Sequence, residues 1–229
     1  MTFVQIIDYE TSHYEDVSAL VDRYLRQSQG RRTVTHSLIG KDRESATHYV
    51  DVVEFPSYEV AMENSRLPET DRMFREMVEL CDGMPKFTNL DVVRDEHLNT
   101  HLVNRMFDEV AMGGRYEVIE EVFTSDYLDH DVGKASDDRG REAVRHDVEG
   151  WRSAFDFTFR REAQLAEGDL VTTVWTWTGT HKGEFLGMAP TGRTCTMPGT
   201  TTFRCRDGQI AEGWWHYDAM GLMRQLGAA

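Results

Sequence analysis

Hydrophobic and polar positions in the first part of the chain alternate between strand and helix periods. The run FVQIIDYE (3–10) is rich in β-branched and aromatic residues, which predicts a strand. Apolar residues then recur at helical spacing, which predicts an amphipathic helix that ends near Gly30. The apolar positions of this helix are Val17, Leu20, Val21, Tyr24 and Leu25.

Three further strands and two helices complete this pattern. RTVTHSLIG (32–40) and ATHYVDVVEF (46–55) predict a hairpin across the polar KDRES. Pro56 and Pro68 each open a helical stretch, and FTNLDVV (87–93) predicts the last strand. The order βαββαβ is that of a ferredoxin-like sandwich.

The second half has a different pattern, in which helices come first and long strands follow. The predicted elements are helices at 101–114, 116–123 and 140–154, strands at 157–164 and 170–181, and a hairpin of 195–206 with 209–217. The hairpin turns at Asp207 and Gly208, a pair that is typical of tight hairpin turns. Helices followed by a long-stranded sheet indicate an α+β fold.

Length and composition favour a globular protein of two domains. The chain has 229 residues, of which 40% are hydrophobic, and this is enough apolar surface for two packed cores. We therefore predict domains at 1–95 and 96–229. The net charge of −15 repels phosphate backbones and anionic lipid. No apolar run approaches the roughly 18 residues of a membrane helix, and the start lacks a signal-peptide pattern. We expect a cytoplasmic protein without nucleic-acid or membrane partners.

The sequence lacks the motifs of metal sites and of common cofactors. Cys81, Cys195 and Cys205 have no CxxC spacing, which favours buried free thiols over a disulfide framework or a zinc site. The histidines show no HxH or HExxH spacing, and no GxGxxG, P-loop or GxSxG motif is present. We expect neither a metal nor an organic cofactor.

The first domain resembles the antibiotic biosynthesis monooxygenase-like family of dimeric α+β barrels. The resemblance covers roughly residues 3–94 and is carried by the element order and by VDVVEFPSYEVAMENSRLPET (50–70). The family includes cofactor-free oxygenases, haem-handling enzymes and many domains without known chemistry. Since fold alone does not imply function, we expect an assembly role for this domain first.

The second domain resembles the SnoaL-like polyketide cyclases of the nuclear transport factor two-like superfamily. The phrases that carry the resemblance are FTSDYLDHD (123–131), GTHKGEFLGMAPTGR (179–193), FRCRDGQIAEGW (203–214) and DAMGLMRQLG (218–227). The resemblance implies a curved antiparallel sheet, wrapped by three helices into a cone with a deep apolar pocket. It also implies intramolecular aldol chemistry without a metal or an organic cofactor, driven by an acid/base residue in the pocket.

Two positions depart from the family pattern. The family's aspartate acid/base follows the Trp that matches Trp214, and that next position is Trp215 here. The family's pocket histidine falls on Thr201, which we keep as a candidate substrate contact. Of the three polar groups associated with the aldol mechanism, His130 is still present, so the resemblance makes it the candidate for proton transfer. Its alternative role is to cap the local acidic turn of Asp129 and Asp131.

Aromatic residues on the predicted strands are candidates for pocket walls. Residues i and i+2 of a strand share a face, so Trp215 and Tyr217 lie on one side of the last strand with Ala211 and Gly213. The family resemblance implies that position 215 faces the pocket, so we expect this side to line it, with Tyr217 assisting proton transfer. Trp175 and Trp177 share one face of their strand and are further candidates for substrate contact. Plain core packing is the alternative for all four rings.

Three more polar residues are candidate substrate contacts. His181 matches a position that is often His in the family, and a structural hydrogen bond is its alternative role. His216 and Asp218 stand at i and i+2, where they could form a hydrogen-bonded pair or brace the C-terminal segment.

The sequence therefore predicts a cofactor-independent enzyme acting on a polyketide-derived aromatic or polycyclic substrate by cyclisation, isomerisation or rearrangement. Cofactor-free oxygenation or hydroxylation is an alternative, because both families that the chain resembles include such activities. A non-catalytic ligand-binding protein of the same pathway is a second alternative. We also expect a homodimer, since both domain types pair with a second copy.

Overall fold

The computed structural model describes residues 2–131 and 138–228. Contacts divide the chain into two compact units, residues 1–95 and 96–229. Among the described residues, no helix has the length and apolar character needed to cross a membrane.

The first unit contains one four-stranded antiparallel sheet with three helices. Its elements are β1 (Phe3–Glu10), α1 (Tyr14–Gln27), β2 (His36–Lys41), β3 (His48–Phe55), α2 (Tyr58–Ser65), α3 (Pro68–Leu80) and β4 (Lys86–Asp91). The strand order β2-β3-β1-β4 is that of the predicted ferredoxin-like sandwich. The connection before β4 is split into α2 and α3, because Ser57 accepts a hydrogen bond from Val60 N as the N-cap of α2 and Pro68 begins α3.

The core of the first unit lies between one face of the sheet and helices α1 and α3. Alternate residues of β3 are buried, as a strand with one covered face requires. The central buried residues are Tyr9, Val17, Leu20, Tyr49 and Met77. The helices therefore cover only one face of this sheet.

The second unit contains a six-stranded mixed sheet and four α-helices in its described part. Its elements are α4 (Leu98–Arg105), a π-helical segment (Met106–Met112), a 3-10 turn (Tyr116–Val118), α5 (Ile119–Val122), β5 (Phe123–Asp131), β6 (Asp138–Arg139), α6 (Gly140–Ala154), β7 (Phe155–Glu167), β8 (Leu170–His181), β9 (Thr194–Arg206), β10 (Gln209–Tyr217) and α7 (Ala219–Leu226). The strand order is β6-β5-β10-β9-β8-β7. The predicted α+β fold class is confirmed, and every pair is antiparallel except β5 with β10, which is parallel.

Three elements of the second unit are absent from the sequence prediction, namely β5, the two-residue β6 and α7. β5 occupies 123–131, where the sequence suggests the end of a helix and an acidic turn. The C-terminal α7 begins after Asp218, whose side chain accepts a hydrogen bond from Gly221 N, and ends at Gly227 in the left-handed conformation. β5 matters most for function because it adds a wall to the site described below.

The predicted helix at 101–114 is α-helical in its first part and π-helical in its second. α4 continues into the π-helical segment, and Gly114 follows it with a φ of 66°. Arg152 of α6 donates hydrogen bonds to the carbonyls of Ala111 and Met112, which satisfies acceptors at the end of the segment. A side chain at Gly114 would stand 2.7 Å from the Arg152 Nε atom, so the glycine makes room for this capping arginine.

Candidate active site

A cavity opens between the inner face of the six-stranded sheet and helix α6 with the π-helical segment. It is lined by Met106, Val110, Ala111, Phe123, Tyr127, Asp129, Asp131, Val144, Asp147, Val148, Trp151, Phe157, Phe159, Trp175, Trp177, Met197, Trp215 and Tyr217. Three of these side chains carry carboxyl groups and nine are aromatic. The inner face is the side of β5 and β10 that carries Tyr127, Asp129, Asp131, Trp215 and Tyr217.

Two glycines of the sheet let tryptophan rings lie flat along the cavity wall. The ring of Trp177 covers Gly179, where an added Cβ would be 2.4 Å from the indole. The ring of Trp175 covers Gly199, its partner on β9, at a corresponding distance of 2.2 Å. Both tryptophans are 1% exposed. Glycine therefore permits a flat aromatic wall that any other residue would push off the sheet.

Trp215 occupies the inner face of β10 together with Tyr217, with which the strand alternation groups it. Its ring packs edge-on against Phe203, with centroids 5.6 Å apart. The ring also packs against Phe107 and Trp175, with centroids 6.3 Å away in both cases. Trp215 thus belongs to the aromatic wall of the cavity.

The carboxyl groups of the cavity come from β5 and α6. The Tyr127 hydroxyl donates to Asp129 Oδ1 at 3.0 Å, and the Tyr217 hydroxyl donates to Asp131 Oδ2 at 3.1 Å. Asp147 faces the same cavity from α6. Asp131 is the register partner of Trp215 in the parallel β5–β10 pair. The carboxyl group of Asp131 therefore lies beside the indole of Trp215.

The polar pair of Tyr127 and Asp129 is deeply buried. Tyr127 is 2% exposed and Asp129 7%. Burial raises the pKa of Tyr127 well above its usual range, and the charge of Asp129 and the hydrogen bond to it act in the same direction. Tyr127 therefore stays protonated as a donor to Asp129. Gly213 makes this possible, because an added Cβ there would be 2.3 Å from the Tyr127 hydroxyl.

The cavity is small in this conformation. Its volume is about 80 Å³, whereas one water in the liquid occupies roughly 30 Å³ and pockets for drug-sized ligands span about 300–1,000 Å³. One compact group fits without rearrangement. A polycyclic ligand enters only if lining side chains move, and Trp151 and Tyr217, which are both partly buried and pack together with centroids 6.4 Å apart, are side chains of this kind.

His130 does not lie in the cavity, so its predicted pocket position is wrong. It alternates with Asp129 and Asp131 along β5 and therefore projects from the opposite side, which we call the outer face. There His130 Nε2 contacts Glu212 Oε1 at 2.9 Å, and its ring stacks on Trp214 with centroids 5.2 Å apart. His130 therefore pairs with Glu212, whereas its alternative predicted role was to cap the acidic turn of Asp129 and Asp131.

Four other predicted substrate contacts also fail to line the cavity. Thr201 is fully buried behind Trp175 and accepts the indole hydrogen bond at 2.8 Å. His181 is buried, stacks on Phe155 and contacts the Thr191 hydroxyl through Nδ1, which is the structural role considered for it. His216 is exposed on the outer face, because it alternates with the inward Trp215 and Tyr217.

Asp218 is the remaining predicted contact outside the cavity. Its Oδ1 accepts the hydrogen bond from Gly221 N at 2.8 Å as the N-cap of α7. It therefore braces the C-terminal segment. The predicted contacts that do line the cavity are Trp175, Trp177, Trp215 and Tyr217.

No pattern in the sequence singled out the carboxyl groups of the cavity. Asp129 and Asp131 belong to an alternating stretch, Tyr127 to Asp131, whose odd positions carry one phenol and two carboxyl groups. This alternation is a strand signal that the charged residues obscure. Asp147 carries no comparable signal, since it lies on a polar helix. Across the residues that the structure describes, no group of three or more His, Cys, Asp or Glu side chains has a geometry that could hold a metal ion.

Comparisons with known proteins define the family of the second unit. The family model of the SnoaL-like polyketide cyclases matches residues 101–226, which is more than half of the chain. The chain therefore belongs to the SnoaL-like polyketide cyclase family. A comparison with curated protein sequences gives no significant match.

Solved structures of similar fold cover the same unit. A protein from Jannaschia sp. CCS1, provisionally named a SnoaL-like polyketide cyclase, is 27% identical over 61% of this chain and 99% of its own, with a TM-score of 0.55. IdmH from Streptomyces antibioticus, provisionally described as a polyketide cyclase, is 30% identical over 57% of this chain and 99% of its own, with a TM-score of 0.52. AclR from Streptomyces galilaeus, provisionally described as a hydroxylase, is 25% identical over 57% of this chain and 96% of its own, with a TM-score of 0.51.

Proposed function

We propose that the second unit is a cofactor-independent enzyme that cyclises, isomerises or rearranges a polyketide-derived aromatic or polycyclic intermediate. The observation that supports this proposal is the cavity itself, which combines hydrogen-bonded carboxyl groups with aromatic walls in a unit of the cyclase family. Carboxyl groups supply acid–base catalysis, and flat aromatic walls suit flat substrates.

Asp131 is the proposed acid/base residue. It lies opposite Trp215 in the strand register, so β5 offers a carboxyl group next to the place of the family's aspartate on β10. The hydrogen bond from Tyr217 fixes the orientation of this carboxyl group, which favours a defined proton transfer. The buried Tyr127 and Asp129 pair supports the adjoining wall.

The proposed reaction needs only one proton to move between substrate and protein. Asp131 removes a proton from a carbon next to a carbonyl group, and the Tyr217 hydroxyl stabilises the enolate oxygen. The enolate carbon then attacks a second carbonyl carbon of the same molecule. Asp131 returns the proton to the new alkoxide, or to a different carbon when the outcome is isomerisation.

Paired variants on the two faces of β5 test this assignment. The Asp131→Asn variant should lower turnover about 100-fold or more, because the amide cannot accept the proton. The His130→Gln variant should keep turnover within about twofold, since its side chain points away from the cavity. The measurement is the rate of conversion of polyketide-derived aromatic substrates, followed by chromatography and mass spectrometry.

Two results of the same assay would contradict the proposed role of Asp131 or the proposed enzymatic function. Full turnover in Asp131→Asn together with a large loss in His130→Gln would return proton transfer to His130 and reject the cavity mechanism. Tight binding of pathway intermediates without conversion over hours would instead favour a non-catalytic ligand-binding protein.

Hydroxylation is the second candidate function, and the likeness to AclR favours it. A hydroxylated product gains an oxygen atom, whereas a product of cyclisation by aldol addition or of isomerisation keeps the mass of its substrate. Turnover under anaerobic conditions with no change in product mass would exclude hydroxylation. A product that forms only with dissolved oxygen would favour it.

For the first unit we propose an assembly role in a homodimer. Its resemblance to dimeric barrel domains supports this proposal, as does the sheet face that its helices leave uncovered. Light scattering of the full chain at micromolar concentration should give twice the mass of the chain. A monomer under these conditions would count against the proposal.

A further inference from the structure

A carboxyl group and a phenol are buried together in the first unit, on the face of its sheet that the helices cover. Asp51 of β3 is 9% exposed, and Tyr9 of the neighbouring strand β1 is 3% exposed. The register pairs Tyr9 with Tyr49 and Ile7 with Asp51, so Tyr9 and Asp51 are diagonal neighbours on this face. Polar side chains in an otherwise apolar core are costly unless hydrogen bonds satisfy them.

The hydrogen bonds of this pair are incomplete. Ser37 of β2 donates to Asp51 Oδ1 at 3.0 Å. The Tyr9 hydroxyl is buried and has no hydrogen-bond partner in the described part of the chain. Burial raises the pKa of Asp51, and burial followed by the charge of Asp51 raises the pKa of Tyr9. Tyr9 therefore stays protonated, and its hydroxyl group is a buried donor that a further polar group can satisfy.

Three tyrosine rings, including that of Tyr9, stack in a row at this place. The rings of Tyr9 and Tyr49 have centroids 5.9 Å apart, and the ring of Tyr14 lies on that of Tyr49 at 4.3 Å with an interplanar angle of 4°. Tyr49 is buried, whereas Tyr14 is partly exposed. Tyr14 is the first residue of α1, and no side chain caps the helix there. The Tyr14 ring can therefore turn outward without breaking the helix, and this movement uncovers one face of Tyr49.

We propose that the first unit binds an aromatic ring that carries a hydroxyl group, stacked on Tyr49 in the place of the Tyr14 ring. A hydroxyl group both donates and accepts, so it donates to the Asp51 carboxyl and accepts from Tyr9. The bound ring restores the stacking contact that Tyr14 gives up, which offsets the cost of moving this side chain. The inference is independent of the proposed function, because it concerns neither the cavity of the second unit nor the open face of the first sheet.

Two probes of nearly equal shape test this site in the full chain. Phenol carries the hydroxyl group, and toluene carries a methyl group in its place. We expect phenol to bind at least about tenfold more tightly, because toluene leaves two buried polar side chains without a partner. Dissociation constants come from NMR titration of the backbone amide signals of β1 and β3. The indole N–H signals report separately on the second unit, which holds all five tryptophans.

Four variants assign the preference to individual side chains. The Asp51→Asn and Tyr9→Phe variants should each reduce the preference for phenol over toluene by about threefold or more. We expect Tyr9→Phe to keep the native fold, because it deletes a hydroxyl group that has no partner in the described part of the chain. The Tyr14→Ala variant should tighten phenol binding by about threefold or more, since no ring has to move. The Asp22→Asn variant is the matched control, because it removes a charge from an exposed position of α1 and should leave the preference unchanged.

The contradicting results are equally specific. Equal binding of phenol and toluene by the native protein would overturn the inference and leave Asp51 and Tyr9 as a pair that holds water only. Phenol binding by Tyr14→Ala but not by the native protein would also overturn it, because the substitution itself would then have created the site. An equal loss of preference in Asp22→Asn, or unchanged phenol affinity in Tyr14→Ala, would reject the assigned position. None of these results depends on turnover, so the assay of the second unit judges the enzyme separately.

Discussion

The two faces of the β5–β10 strand pair carry different chemistry, although they are built from alternate residues of the same two strands. The inner face holds hydroxyl-bound carboxyl groups among aromatic rings, in a cavity. The outer face holds a stacked arrangement in which the Trp214 ring lies between His130 and Arg204, and both of these bind Glu212. The outer groups form a partly exposed ion-pair network of the kind that contributes about 0–1 kcal/mol per pair.

This difference shows why neighbours in the sequence can have unrelated roles. His130 and Asp131 are adjacent, as are Trp214 and Trp215, and each pair is divided between the two faces. The type of a residue on a strand therefore does not show whether it belongs to the site. The face of the sheet from which its side chain projects does show this. Variants that change one face while sparing the other test this separation most directly.

The largest expected effect comes from closing the space that Gly213 leaves on the inner face. The Gly213→Ala variant places a Cβ 2.3 Å from the Tyr127 hydroxyl and 2.9 Å from the Phe203 ring. We expect it to lower the free energy of unfolding of the second unit by about 2–4 kcal/mol. All five tryptophans lie in this unit, so their fluorescence during urea unfolding reports on it.

The matched control for this variant is Gly150→Ala in α6. Nothing lies within 4 Å of an added Cβ there, and the position is exposed on the helix. The variant should raise the free energy of unfolding by about 0.5–1 kcal/mol, because alanine restricts the unfolded chain and favours helix. If both variants changed stability by the same amount, the tight packing at Gly213 would be disproved.

A smaller effect is expected from replacing the paired tryptophans separately. The Trp215→Phe variant shortens a ring that packs against Phe107, Trp175 and Phe203, and it should cost about 1–3 kcal/mol of unfolding free energy. The Trp214→Phe variant keeps a ring between His130 and Arg204 and should cost less than about 1 kcal/mol. Urea unfolding measured by circular dichroism compares the two, and a larger loss for Trp214→Phe would reverse the assignment of faces.

The smallest effect is a pH dependence that belongs to the outer face. The hydrogen bond with His130, followed by that with Arg204, lowers the pKa of Glu212 below its ordinary value of 4.5. A lowered carboxyl pKa contributes stability above the unfolded pKa, and this contribution is lost as the pH falls through the folded pKa. The stability difference between the native protein and Glu212→Gln should therefore be greatest above about pH 5 and shrink below about pH 4.

Urea unfolding of both proteins across this pH range measures the effect, and turnover provides the control. Because Glu212 lies on the outer face, turnover by Glu212→Gln should follow the native pH profile. A stability difference that grows as the pH falls would contradict the lowered pKa.

Several elements follow directly from the sequence. The helix at 140–154 and the strands at 170–181 and 209–217 have the predicted bounds, because their hydrophobic periods are long and uninterrupted. Asp207 and Gly208 form the predicted turn, with φ values of 53° and 76°. Such local signals need no knowledge of the rest of the chain.

β5 could not be recognised in the same way. Its charged residues reduce the strand signal, and its hydrogen-bond partner β10 lies about eighty residues further along the chain. A parallel pairing of this kind is specified by packing of both strands against helices rather than by a turn. The cavity carboxyl groups therefore could not be recognised from the sequence, because the strand that carries two of them could not.

The amino-acid sequence by itself determined that Trp215 and Tyr217 share one face of β10 and Trp214 the other, since strand alternation is a property of the backbone and β10 has a clear strand pattern. Only the tertiary structure decided that Asp131, and not His130, stands beside Trp215. The choice between these neighbours depends on the register of β5 against β10, and a shift by one residue would exchange the two faces. Register is set by contacts between distant segments, which no local pattern contains.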